Sequence, residues 1–541
     1  MSRKAFGLLL SLIFTALILA ACGGGSDDEE GNGTSEEGSS SEEQVLRMHL
    51  GDDPTTFDPS LHEDFVTGSM TRQIFDGLVR FGEDGEPTES LAENIDVSDD
   101  GLTYTFELRE SEWTNGDPVT AHDFVYSWTR VLSAETASGA AHNAFLIKNG
   151  EAYFNEEAEK EDVGVRALDD YTLEVELEYP APYFLELLTG SQFMPLNEDV
   201  VENDENWADD PETYVTNGPF SLESYSIQDE VILVKNDSYW DKDNVQLDRV
   251  EYILIEDDNT ALDMYETGEL DWVGSPLGAI PGDAIKPLLD EGTLLTEDRA
   301  HMTAARFNVE KEPFQNEKIR KAFSYALNRA DITEHVTQAG EEPALGFVPY
   351  TAIVNPDGYF EDNNVEEAKK LLEEGMEEEG YDELPQVTFL YNTNDRNHRL
   401  AQTIQAQIKE GLDIDIDLEH KEAKVFFEQQ NEGDHMFSIA GRSGSFNDGI
   451  NFLQNYMIKD STSNNTNWHN PEFNEFLEEA RMESDADKRD ELLRKGEEVM
   501  MDDMPLTPLF SGTTTWIQDE KVKNVPMTSI GHVDLKYGYI E

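Results

Sequence analysis

The sequence predicts an α/β fold divided into two or more lobes, on three observations. Alternating apolar runs and helical stripes follow one another along the chain, without internal repeats. The part after residue 44 is about 500 residues long, more than a single typical domain. Hydrophobic residues make up 38% and aromatics 10% of the composition, spread through that part, so a disordered body is excluded.

The N-terminus is read separately from the body. Arg3 and Lys4 precede an apolar stretch, Ala5 to Ala21, broken only by Gly7, Ser11 and Thr15. A membrane-spanning helix needs ~20 predominantly apolar residues, so residues 1–21 read as a secretory signal. Cys22 is the only cysteine and follows Leu19-Ala20-Ala21. Small residues before a single Cys resemble the lipobox of bacterial lipoproteins. That resemblance implies cleavage before Cys22 and acylation of it, anchoring the chain to the outer face of the cell membrane. Residues 22–44 are mostly Gly, Ser, Asp and Glu, a composition that cannot bury a core and reads as a self-repelling tether. No second apolar run is long enough to span a bilayer, so the remainder is expected outside the cytoplasm.

Acidic residues number 116 against 38 basic ones, a formal net charge of −78. Duplex nucleic acid is excluded as a partner, because binding it needs a basic footprint. Such a surface suits high salt or alkaline pH, a statement about habitat rather than function.

Within the body, Thr103 to Leu108 alternates as a strand and ends at the turn Asn115-Gly116-Asp117-Pro118. Thr120 and Asp123 have capping-box spacing and open a helix with Phe124, Trp128 and Val131 on one face. Leu173–Leu177 and Val231–Val234 read as strands, and Lys318 to Leu327 as a helix. The C-terminal half has βαβ character: a strand at Val387–Tyr391, then a helix face of Leu400, Ile404 and Ile408. An alternating run from Leu412 to Leu418 follows, and then a strand from Met436 to Ala440. Strand–helix alternation argues for a largely parallel sheet. In such sheets ligands bind at the carboxyl ends of strands, so the Gly-rich segment 441–449 is a candidate binding loop.

No strong catalytic signature is present. Walker A and GxGxxG patterns are missing, and Gly441-Arg442-Ser443-Gly444-Ser445 lacks nucleophile-elbow spacing. His62-Glu63 has no second His for a zincin helix. Asp413, Asp415 and Asp417 alternate with isoleucines, as on a strand rather than in a calcium loop. The expectation is a binding protein with no catalytic residue, metal or cofactor.

The stretch Trp113-Thr114-Asn115-Gly116-Asp117-Pro118 through Trp128 closely resembles the signature of oligopeptide-binding proteins of ABC importers, bacterial solute-binding family 5. The resemblance continues through Thr216-Asn217-Gly218-Pro219-Phe220, Asn236 to Trp240, and Ala326-Leu327-Asn328-Arg329, and is collinear from about residue 45 to the C-terminus. It implies a periplasmic-binding-protein clamp: two lobes with mixed sheets and a hinge, plus an extra inserted domain. One lobe would combine 45–75, 194–300 and 511–541, the inserted domain 76–193, and the second lobe 301–510. It also implies a monomer that holds peptide as an added strand and delivers it to transmembrane permease subunits. Glu63-Asp64-Phe65 and Arg442-Ser443-Gly444 match the segments that pair with peptide. Phe65 and Phe446 would be aromatic walls, with Asn217-Gly218 near the hinge.

The pocket departs from the family pattern. Where peptide binders usually read Gly-Trp-x-x-Asp-x-Asn-Asp/Glu-Pro, this chain has Gly441-Arg442-Ser443-Gly444-Ser445-Phe446-Asn447-Asp448-Gly449. Ser445 replaces the Asp that pairs with the peptide amine, and Ala423 and Ala140 stand where aromatics are usual. Three readings stay open: Asp448 or another acid takes over the amine; the ligand is long, or presents no free N-terminus here, and the wider pocket takes up bulk; or it is a non-peptide solute with an anionic group facing Arg442. A receptor for peptide pheromones or signals is the alternative on the same scaffold.

Overall fold

Alternation buries Leu46, Met48 and Leu50 of the strand Val45–Leu50 completely, in a computed structural model that describes residues 43–61, 64–459 and 461–541. This strand runs parallel to Arg249–Leu254 on one side and Trp272–Gly274 on the other. The antiparallel hairpin Phe220–Ser226 and Glu230–Lys235 completes that edge. On the opposite side follow Leu506–Gln518, Leu295–Phe307, Phe437–Ser443, Val387–Asn392 and Ile416–Lys421. Parallel pairing holds between Val387–Asn392 and its two neighbours, as the βαβ pattern predicts. The centre of the sheet is antiparallel instead, because two long strands cross it in opposite directions.

Those two strands, Leu295–Phe307 and Leu506–Gln518, are 13 residues each and pass through both halves of the sheet. Leu295–Asp298 pairs with Trp516–Thr513, and Met302–Arg306 with Ser511–Leu506. Between these stretches Arg299, Ala300 and His301 lie opposite Gly512 alone, a bulge that bends and twists the ribbon. Only glycine fits at 512, since a Cβ there would sit 2.9 Å from the His301 ring. The bulged Ala300 donates its N–H to the Ser529 carbonyl (2.6 Å) and accepts from the Gly444 N–H (2.7 Å). The architecture is a two-lobed clamp with mixed sheets.

A separate four-stranded antiparallel sheet, in the order Ala92–Val97, Thr103–Leu108, Thr172–Glu176, Val165–Asp169, forms the inserted domain. Helix Ala121–Val131 begins where the capping box predicts, with the Thr120 N–H donating to Asp123 Oδ2 at 2.7 Å. Its Phe124, Trp128 and Val131 are buried, and Trp128 Nε1 donates to the Phe193 carbonyl at 2.8 Å.

In the second lobe Phe307, Phe314, Phe323, Phe389 and Phe437 form one aromatic core. Helix Asp395–Leu412 is longer than its apolar stripe suggests, which shortens the run read as a strand from Leu412. Asp413 takes a left-handed conformation (φ 58°) to end that helix, and the strand begins only at Ile416. The strand expected at Met436–Ala440 instead reaches Ser443, so the first residues of the Gly-rich segment are ladder rather than loop.

Much of the signature resemblance is scaffold. Arg130 bonds both carboxylate oxygens of Asp58 (2.9 and 2.7 Å). Asp76 accepts from Ser90 Oγ, Tyr239 OH and Trp240 Nε1, and Arg80 joins it to Asp534 in a buried cluster.

Candidate functional site

Helix Phe65–Ile74 supplies one wall of a cavity of about 420 Å³, the largest of three that adjoin one another. Asp64 caps it, Oδ1 accepting from the Thr67 N–H at 2.7 Å. Helical spacing turns Phe65, Gly68 and Arg72 to the cavity and Met70 and Ile74 to the core. Phe65 stacks on His532, centroids 4.1 Å apart and 8° from parallel. Arg72 Nη1 lies 2.8 Å from His532 Nε2, and Arg72 Nε donates to the Thr189 carbonyl at 2.9 Å. Because Arg only donates, His532 Nε2 accepts and its proton sits on Nδ1, which faces Ser69 Oγ at 2.9 Å. That hydroxyl donates onward to the Phe65 carbonyl (2.8 Å). Burial lowers the Arg72 pKa to about 10.

The opposite wall is the bulge and the loop beyond Phe437–Ser443. Arg299 stands 5.5 Å from the Phe65 ring centroid. His301 Nδ1 lies 2.9 Å from Ser443 Oγ; burial, then Arg299 and Arg396, push its pKa down to about 3, so the ring is neutral. Ser443, Gly444 and Ser445 line this cavity. Two smaller cavities adjoin it. One of about 250 Å³ shares Ser445 and is lined by Arg442, Phe446 and Tyr183. The other, about 310 Å³, shares Ser443 and runs along Ile439–Gly441 past Arg306.

The Val387–Asn392 ladder reaches its neighbour only at Phe437 and Ser438. Beyond Ser438, the outer edge of Phe437–Ser443 has no strand partner among the described residues, apart from Gln430 Nε2 donating to the Ile439 carbonyl (3.0 Å). That free edge faces a cavity.

The structure brings Asp64, Phe65, Arg442, Ser443, Gly444, Ser445 and Phe446 around these cavities. Phe65 does so as the first residue of a helix, which removes it from extended pairing. Phe446 stacks flat on Tyr183, centroids 4.1 Å apart, joining the second lobe to the inserted domain. Asn447 donates its N–H to Glu186 Oε1 (2.9 Å), and burial pushes the Glu186 carboxyl up to about 7. Asp448 lines none of the three cavities: both its oxygens accept from Arg489 at 2.8 Å, and it caps the helix Gly449–Leu453. An acceptor so occupied does not stand in for the missing amine partner. Glu63 and Cys22 lie outside the described residues.

Asn217 and Gly218 also stay away from the cavities. Asn217 brackets Asp76, accepting from its N–H and donating to its carbonyl, both at 3.0 Å. At Gly218 a Cβ would sit 2.4 Å from the Ile74 carbonyl carbon and 2.6 Å from the Phe75 nitrogen, atoms held by a helix end. Gly218→Ala is therefore expected to destabilise by about 1–3 kcal/mol, read as a lower denaturation midpoint with ligand affinity per folded molecule kept.

Arg72, Arg299, His301 and His532 escape sequence reasoning. Arg72 alone had a signal, its helical spacing from Phe65 and Gly68; the others depend on register and long-range packing. Among the described residues no cluster of His, Cys, Asp or Glu could hold a metal ion, and no helix is long and apolar enough to cross a membrane.

A profile of the bacterial extracellular solute-binding proteins, family 5, middle region, matches residues 86–464. The oligopeptide-binding protein OppA of Bacillus subtilis is 39% identical over 505 residues, covering 92% of this chain and 93% of its own. The dipeptide-binding protein DppE of the same organism is 37% identical over 503 residues, with 91% of each chain covered. A crystal structure of the Borrelia burgdorferi periplasmic oligopeptide-binding protein OppAIV superposes with a TM-score of 0.78 at 30% identity, covering 92% of this chain and all of that one. With its clamp, inserted domain and central cavities, the chain belongs to the bacterial extracellular solute-binding proteins of family 5.

Proposed function

We propose that this protein is an extracytoplasmic lipoprotein, acylated at Cys22, that captures oligopeptides and delivers them to the permease of an ABC importer. The observation that carries the peptide reading is the free strand edge beyond Ser438, which opens into a cavity. An extended peptide satisfies such an edge through its own backbone, with side chains left to adjoining cavities. The relatives named for oligopeptide and dipeptide binding support the same solute class. Binding is the activity; closure bends the two long strands at the Arg299–His301 bulge, so that 45–75, 194–300 and 511–541 move against 301–510. The Tyr183–Phe446 stack and the Glu186–Asn447 bond then act as a latch on the closed clamp.

Native mass spectrometry of the gently purified chain, followed by ligand release, tests the proposal. A ladder of co-purifying peptides is the expected result. A single non-peptide mass, or an empty protein that ignores a peptide library, would overturn it.

A further inference from the structure

The composition makes carboxylates the common charge, 116 against 38, yet the three central cavities reverse the ratio. Among the described residues they are lined by Arg72, Arg299, Arg306, Arg396 and Arg442, with Asp64 as the one carboxylate. Asp64 is engaged as a helix cap by Thr67 and is bonded by Thr55.

Among the described residues Arg299 in the largest cavity, Arg442 in the second and Arg306 in the third have no ion pair, as does Arg72, whose donors go instead to His532 and to backbone carbonyls. Arg299, Arg306 and Arg442 each leave a buried Nε with no hydrogen-bond partner among the described residues. Arg442 makes one long contact to the Asn451 carbonyl (3.4 Å), whereas Arg396 is paired with Glu341 at 2.8 Å. Burying a guanidinium without a counter-charge is costly, and one such group is compensated when an anion arrives. Burial already lowers the pKa of Arg299 and Arg442, which marks the same missing partner. The cavities share Ser443 and Ser445, so the three cations lie along one continuous site.

Resting on the peptide reading above, we infer that this cleft selects acidic peptides, whose Asp or Glu side chains meet Arg299, Arg306 and Arg442. The chain's large negative charge does not oppose this at close range. Screening confines exposed charge to about 8 Å at physiological salt and less in brine, while charges buried in the cleft are screened much less. The absent amine partner at Ser445 fits the same logic: the site is arranged for carboxylates rather than for an ammonium.

Calorimetric titration of the full-length chain in detergent, with C-amidated six-residue peptides that differ only in two Glu, two Gln or two Lys, tests the inference. The Glu peptide is expected to bind about tenfold tighter than the Gln peptide, with Lys weakest. Arg299→Gln and Arg442→Gln should each shrink that Glu preference to about threefold or less, while Arg442→Lys should keep most of it. Equal affinity for the Glu and Gln peptides overturns the acidic preference and leaves peptide capture standing. A gain that appears only with a free C-terminal carboxylate assigns the arginines to the chain end, and also overturns it. Failure to bind any of the peptides removes the peptide reading itself, and the inference with it.

Discussion

Replacing Arg80 by Met is expected to cost about 3–5 kcal/mol of stability, seen as a fall in the urea midpoint at unchanged slope. Arg80 is 4% exposed and lies between Asp76, fully buried, and Asp534, 5% exposed. It donates to Asp76 Oδ1 at 3.0 Å and to both Asp534 oxygens at 2.8 and 3.0 Å. Desolvation by itself would lower the guanidinium pKa; the two carboxylates and Tyr239 hold it well above the ordinary value. Methionine fills the volume but leaves two like charges in the core. Asp76 keeps Ser90, Tyr239 and Trp240 as donors, yet none of them neutralises it. A loss under about 1 kcal/mol would mean the cluster rehydrates, and would sink this account.

Glu497→Gln is expected to stabilise the chain at pH 8 by about 3 kcal/mol and to have no effect near pH 4. Glu497 is 1% exposed; burial pushes its carboxyl up from 4.5 to about 7, although the Val348 and Phe347 N–H groups and the Tyr359 hydroxyl favour the anion. The folded chain therefore holds this proton more tightly than the unfolded one. Below pH 4.5 both states carry it and nothing is lost. As pH rises from 4.5 to 7 the unfolded chain releases it first, and folding loses about 1.4 kcal/mol per unit. Glutamine keeps an oxygen for the two N–H groups, and Tyr359 can donate to the Arg494 carbonyl, 3.2 Å away. Parallel urea titrations of parent and variant from pH 4 to pH 8 measure the difference, in which every other group cancels. A difference that stays flat across this range would show an ordinary carboxylate.

Elements whose cause is local were legible in the sequence. Thr103–Leu108 declares itself by alternation and Ala121–Val131 by its capping box, both short-range rules. The family pattern led to Ser443, Gly444 and Ser445, because they lie at or just beyond the end of a strand that sequence spacing marks. Asn217-Gly218 misled for the opposite reason: the tight approach of Gly218 to the Ile74–Phe75 backbone comes from elements far apart in sequence. The Arg299–His301 bulge was equally hidden, since a strand shows its register only against its partner. Asp448 reads as a free acid until Arg489, brought in by the helix Ala486–Asp503, takes both its oxygens. Reading failed where a side chain's meaning depends on a distant partner.

Leu506–Gln518 lies mid-sheet, between Leu295–Phe307 and Trp272–Gly274, yet it comes from the last part of the chain. Until it is synthesised, the sheet is two separate pieces, each with an open edge. A ribosome must therefore all but finish before either piece can close. The large sheet stays in two parts for nearly the whole of synthesis, with bare edges exposed until the final strand slides in.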